Sequence, residues 1–133
     1  MKIEKKAFSC QRDGLTIRGH VYLPGESGSF PAAVISHGFM SDQRSVTQYA
    51  EALANEGYAA FIYDFCGGCL IGRSSGKTTD MSVLTEKDDL RAVLRYVADL
   101  PYVDAKRISL LGCSQGGFVS AMVAADIPEE IAS

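Results

Sequence analysis

The chain has 133 residues, enough for one domain, with 47% apolar and 22% charged residues, ordinary globular values that exclude a disordered or fibrous chain. Thirteen Lys and Arg against sixteen Asp and Glu give a net charge of −3. No basic block is present to neutralise a phosphate backbone, which argues against nucleic acid as a partner. No apolar run approaches the ~18 residues of a membrane span. The start, Met1-Lys2-Ile3-Glu4-Lys5-Lys6, has no signal-peptide apolar region. A soluble, cytoplasmic protein with no membrane partner is expected, its cysteines (Cys10, Cys66, Cys69 and Cys113) reduced.

The first elements alternate. Leu15, Ile17, Gly19, Val21 and Leu23 share one face and Thr16, Arg18, His20 and Tyr22 the other, a period of two that predicts a half-exposed strand. Asp13-Gly14 suits a tight turn back to an earlier strand over Ile3 to Cys10, so an antiparallel hairpin opens the chain. After the loop Pro24 to Ser29 the pattern changes. Ala32 to Ile35, Ala59 to Tyr63 and Ile108 to Leu111 are short continuous apolar runs, the signature of strands covered on both faces. Between them, Val46, Tyr49, Ala50, Leu53 and Ala54 keep helical spacing, with Gly57 as a stop. Leu90, Val93, Leu94 and Val97 repeat that spacing ahead of Pro101. A third helix over Gln115 to Ala125 is expected to bury Phe118, Val119, Met122 and Val123. Alternating strands and helices predict an α/β fold with a parallel sheet. No strand pattern follows the last helix, which leaves the strand before Ser114 as an uncovered edge.

The chemistry-bearing stretch is Gly112-Cys113-Ser114-Gln115-Gly116-Gly117, a G-x-S-x-G sequence directly after a buried strand and directly before a helix. A serine on so sharp a turn needs its neighbours to be small. Gly112 and Gly116 supply that space, and Gly117 lets the helix approach the sheet. Ser36-His37-Gly38-Phe39 follows an earlier strand, where an oxyanion loop would sit. Two backbone N–H groups aimed at a developing oxyanion, those of Phe39 and Gln115, are typically worth about 2.7–4 kcal/mol each.

With these stretches, and with Tyr63-Asp64-Phe65-Cys66-Gly67-Gly68 and Gly72-Arg73-Ser74-Ser75-Gly76, the sequence resembles the α/β-hydrolase family, and within it bacterial esterases of the feruloyl (cinnamoyl) esterase type. The resemblance runs from Pro31 to Ala125. It implies Ser114 as nucleophile and the N–H groups of Phe39 and Gln115 as the oxyanion hole. His37, Gly38, Gly112, Gly116 and Gly117 become the supporting loops, a small-molecule ester the substrate, and the chemistry uses no metal or organic cofactor. Enzymes of this kind carry the triad acid and histidine after later strands. Only Asp126 to Ser133 follow the last helix here, and they hold no histidine. The expectation is an N-terminal portion of one α/β-hydrolase domain, ending after the nucleophile-elbow helix, without the C-terminal strands, the cap and the triad Asp and His. Without a base the serine is a poor nucleophile, and such a truncated chain has little activity alone. The rival expectation is an inactive half-domain serving as a binding or assembly unit, through self-association or a completing chain. A peptidase, thioesterase or acyltransferase would share every motif.

Other features read as structural. His20 fits an exposed strand position. Cys66-Gly67-Gly68-Cys69 has redox or half-zinc spacing but lies in a Gly-rich loop without further ligands. Cys113 reads as a small packing residue beside the elbow, and Asp64 as a strand-end residue facing the site. Glu86-Lys87-Asp88-Asp89 reads as the solvated start of a helix. Gly72 to Lys77 lacks the spacing of a phosphate loop.

Overall fold

The alternation near the N-terminus forms a hairpin of β1 (Glu4–Arg12) and β2 (Leu15–Leu23), paired from Glu4 with Leu23 to Arg12 with Leu15. The computed structural model describes residues 3–12, 14–25, 28–37, 43–65, 83–112, 115–127 and 131. β3 (Phe30–Ser36) precedes a 3₁₀ turn (Gln43–Val46) and α1 (Thr47–Asn55). There follow β4 (Ala59–Tyr63), α2 (Val83–Ala98), β5 (Val103–Gly112) and α3 (Gln115–Asp126). The sheet order is β1-β2-β4-β3-β5, antiparallel from β1 to β4 and parallel through β4, β3 and β5.

Helices cover both faces, as the continuous apolar runs require. On one face Ile17, Val34, Phe61 and Tyr63 of the sheet meet Leu90, Val93 and Val97 of α2 and Val119 and Val123 of α3. On the other, Tyr22, Ile35, Ala60 and Ile62 meet Val46, Ala50 and Ala54. α1 stops at Gly57, whose φ of 96° lies in the left-handed region. The N–H of Gly57 donates to Ala54 O at 3.1 Å and that of Tyr58 to Leu53 O at 3.0 Å, so the last helical carbonyls are satisfied as in a Schellman motif.

Three expectations need correction. Tyr49 is exposed, because the stripe that α1 presents to the sheet is the narrow one of Ala50 and Ala54. Tyr22, placed by alternation on the polar face, is buried because that face of β2 packs into the α1 layer. The acidic run is only partly solvated: Asp88 is exposed, while Glu86 and Asp89 are buried. Their positions explain this. Residues 86, 89, 90, 93 and 97 lie on one helical face, so both carboxylates fall on the core stripe. Arg12 at the end of β1 meets Asp89, its Nε donating to Oδ1 at 2.7 Å with side chains 12% and 0% exposed. Lys87, half-buried, reaches the other way to Asp126 at 2.7 Å and links α2 to the end of α3.

β5 begins at Val103, five residues before the apolar run, and pairs with β3. Among the described residues no strand borders its other side, and Leu111 is exposed. No helix among the described residues is long and apolar enough to cross a membrane.

Candidate active site at the strand ends

β4, β3 and β5 run parallel, so their C-terminal ends meet at one edge of the sheet. Ile35 pairs with Ile62 on one side and Leu111 on the other, and Ser36 pairs with Gly112. One residue beyond Ile62 comes Tyr63, so Tyr63, Ser36 and Gly112 stand level at that edge. In open α/β sheets this is the edge where ligands bind.

Only Cys113 and Ser114 separate the last residue of β5 from the first of α3. A reversal that short brings the first helical turn back against the strand, and the glycines record the approach. A Cβ on Gly112 would collide with the backbone of Gly116 and Gly117. One on Gly116 would collide with the carbonyl oxygens of Ser36 and His37, so α3 rests on the end of β3 as well. At Gly117 a Cβ would come within 3.2 Å of Gly112 O, tight but not impossible. Any larger side chain at 112 or 116 has no room. Gln115 opens α3, where first-turn N–H groups lack intrahelical acceptors and the helix dipole is positive.

The end of β3 is held by the end of β4. His37 is buried, and its Nε2 accepts the N–H of Phe65 at 3.1 Å. A nitrogen that accepts an N–H carries no proton, so neutral His37 holds its proton on Nδ1. The Phe65 ring lies edge-on to His37, with centroids 4.8 Å apart, and to Tyr63 at 5.1 Å. Tyr63 and Ser36, both fully buried, share a hydrogen bond between their hydroxyls at 2.8 Å. Burial, reinforced by Asp89, Glu86 and Cys10 and opposed by the Ser36 hydrogen bond, holds the Tyr63 phenol well above its ordinary pKa, so it stays neutral. Asp64, also buried, donates its backbone N–H to Arg18 O at 3.0 Å.

The site residues expected from sequence divide accordingly. His37, Gly112, Gln115, Gly116 and Gly117 come together at this edge, Gln115 by its backbone. Ser114, Cys113, Gly38 and Phe39 lie outside the described residues, as do Cys66, Cys69 and the loop from Gly67 to Lys77. His20 is half-buried on β2, opposite Ala7 and Ile62. Sequence alone does not single out Ser36, Tyr63 and Phe65 for a role in the site. Their signal is faint: a hydroxyl residue closing each of two apolar runs. Among the described residues no group of three His, Cys, Asp or Glu side chains is placed to hold a metal.

The family model for serine aminopeptidase, S33, matches residues 30–133. The chain belongs to the α/β-hydrolase family. It is 34% identical over 120 residues to the hydrolase LUC6 of a Fusarium species, covering 85% of this chain and 28% of that one. To the quorum-quenching protein AidA of Acinetobacter baumannii it is 29% identical over 100 residues, 74% of this chain and 32% of AidA. Est1E from Butyrivibrio proteoclasticus, solved with ferulic acid bound, superposes with a TM-score of 0.85 at 27% identity, over 93% of this chain and 49% of Est1E. This α/β-hydrolase chain therefore spans half or less of the length of these three relatives.

Proposed function

We propose that the chain is the N-terminal part of a serine hydrolase of carboxylic esters, with Ser114 as nucleophile and the N–H groups of Phe39 and Gln115 as oxyanion hole. The Ser114 hydroxyl adds to the ester carbonyl while its proton passes to a base. The carbonyl oxygen becomes an oxyanion held by the two N–H groups. Collapse expels the alcohol, which takes up the proton, and leaves an acyl-enzyme for water to hydrolyse. The observation that carries this reading is the packing of Gly112 and Gly116: a side chain is excluded two positions before and two positions after Ser114, as a strand-to-helix nucleophile turn requires.

The base and its orienting acid are assigned to polypeptide outside these residues. Neither histidine is taken as the base on this reading. The Nε2 lone pair of His37 is occupied by the N–H of Phe65, and His20 lies within the β1–β2–β4 part of the sheet. Support comes from the relatives, which are at least twice as long as the stretch they share with this chain. On this reading the residues shown have little ester hydrolysis of their own, with roughly 10³–10⁴-fold over water left to an oxyanion hole without its triad. A preference for aromatic acyl groups follows from the likeness to Est1E.

Reading the nucleotide sequence past the Ser133 codon locates the missing groups: one frame should continue with strand–helix units, an Asp and a late His. The protein read through to that end should hydrolyse a short p-nitrophenyl ester, and its Ser114→Ala form should not. Full activity in Ser114→Ala removes the serine mechanism.

A second reading rests on β5, whose outer side no described strand covers. An inactive half-domain would use that edge for assembly, as a second copy or a completing chain. Light scattering after size exclusion separates the two: a clean monomer counts against assembly through the edge.

A further inference from the structure

The hydroxyl pair Tyr63–Ser36 has no part in the proposed chemistry, yet it lies where the described strand ends meet α3. Ser36 is the last residue of the central strand β3. It pairs with Gly112 on one side, bonds the Tyr63 hydroxyl on the other, and its carbonyl oxygen is one of the two that Gly116 rests against. The other belongs to His37, held through Phe65, whose ring also packs on Tyr63. The last residue of β3 and the residue after it are thus gripped by Tyr63, the last residue of β4, and by Phe65 two positions beyond it, one through a hydroxyl and one through an imidazole. The gripped backbone is the seat of α3.

We infer that Tyr63 and Ser36 are positioning residues for the site: their hydrogen bond fixes the Ser36–His37 backbone, and through it the seat of the α3 N-terminus on the end of β3. The inference deepens the esterase reading and rests on it for its catalytic part. Apolar packing alone would have been satisfied by phenylalanine at 63 and alanine at 36. Instead both positions carry a hydroxyl, level on neighbouring parallel strands, where each supplies the other's partner inside the core.

The test uses Tyr63→Phe, Ser36→Ala, the double variant and Ser36→Thr, which keeps a hydroxyl. Amide exchange read by mass spectrometry should rise about tenfold in peptides covering residues 34–40 and 110–118 in Tyr63→Phe and Ser36→Ala. The double variant should add little, Ser36→Thr should restore protection, and peptides of β1 and α1 should not change. In the protein read through from its gene, phosphonylation by a fluorophosphonate should lose about tenfold in its maximal rate with the reagent's half-saturation concentration unchanged. Unchanged exchange at 110–118 in Tyr63→Phe overturns the inference, as does a uniform rise across the chain, which marks general loss of packing. A parent that is never phosphonylated defeats the serine reading instead, and the exchange data then decide the positioning by themselves.

Discussion

The carbonyl oxygen of His37 occupies the space that a Cβ on Gly116 would need. One glycine thereby seats the start of α3 on the Ser36–His37 backbone at the end of β3.

Gly116→Ala should therefore be among the most damaging single-methyl additions available. The new Cβ meets the backbone of Ser36 and His37, which cannot rotate away, so a cost of about 3 kcal/mol is expected. Gly117→Ala meets Gly112 O at 3.2 Å and should cost well under half of that. Urea unfolding of the two variants tests the order; equal losses would mean that α3 does not rest on β3.

Asp89 tests the buried ion pair. Asp89→Ala breaks a largely buried pair, removing the carboxylate that Arg12 Nε meets at 2.7 Å, and should cost about 3–5 kcal/mol. The paired replacement Arg12→Met with Asp89→Leu should recover part of the loss, because both charges of this pair are removed together. A double variant as unstable as the single one would contradict this.

Cys10 supplies a pH prediction. Burial first, then the Asp89 charge, against the opposing Arg95 charge, push its thiol from 9.0 to about 11. The folded chain holds this proton more tightly than the unfolded one. The contribution to stability is therefore complete below pH 9.0 and is lost as pH rises through about 11. Iodoacetamide at pH 8 should alkylate Cys10 roughly a hundredfold more slowly than a free cysteine, by thiolate fraction. Asp89→Asn should speed the reaction. Peptide mapping separates Cys10 from the other three thiols, and an ordinary rate at Cys10 would contradict the burial argument.

Gly57 holds the left-handed position that ends α1. Gly57→Ala should destabilise the chain by about 1–2 kcal/mol, whereas Glu56→Ala, at an exposed position, should be close to neutral. Thermal unfolding of the pair gives the answer, and no difference between them would remove the Schellman account.

Much of this architecture is legible in the amino-acid sequence. Periodicity locates the hairpin and the three α-helices of the described residues, because a period of two and a period of 3.6 are written directly in apolar spacing. Local motifs place Gly57 as the stop of α1 and Gly112, Gly116 and Gly117 where β5 gives way to α3. What periodicity cannot express is which strand lies beside which. The insertion of β4 between β2 and β3 depends on contacts distant in sequence, and so does the Ser36–Tyr63 bond that follows from it. Glu86 and Asp89 mislead for a related reason. Four charged letters in a row suggest solvent, while their spacing from Leu90, Val93 and Val97 puts two of them on the core face. Tyr22 and Tyr49 depart from expectation in opposite directions because a tyrosine fits either side of a buried boundary, and only the position of α1 decides.

Ser114 is the proposed nucleophile. The most direct test of this role is to treat the whole gene product with a fluorophosphonate and locate the adduct by peptide mass spectrometry. The account predicts one adduct, on the peptide containing Ser114, absent from Ser114→Ala. An adduct on another residue, or none on the Ser114 peptide, would contradict it.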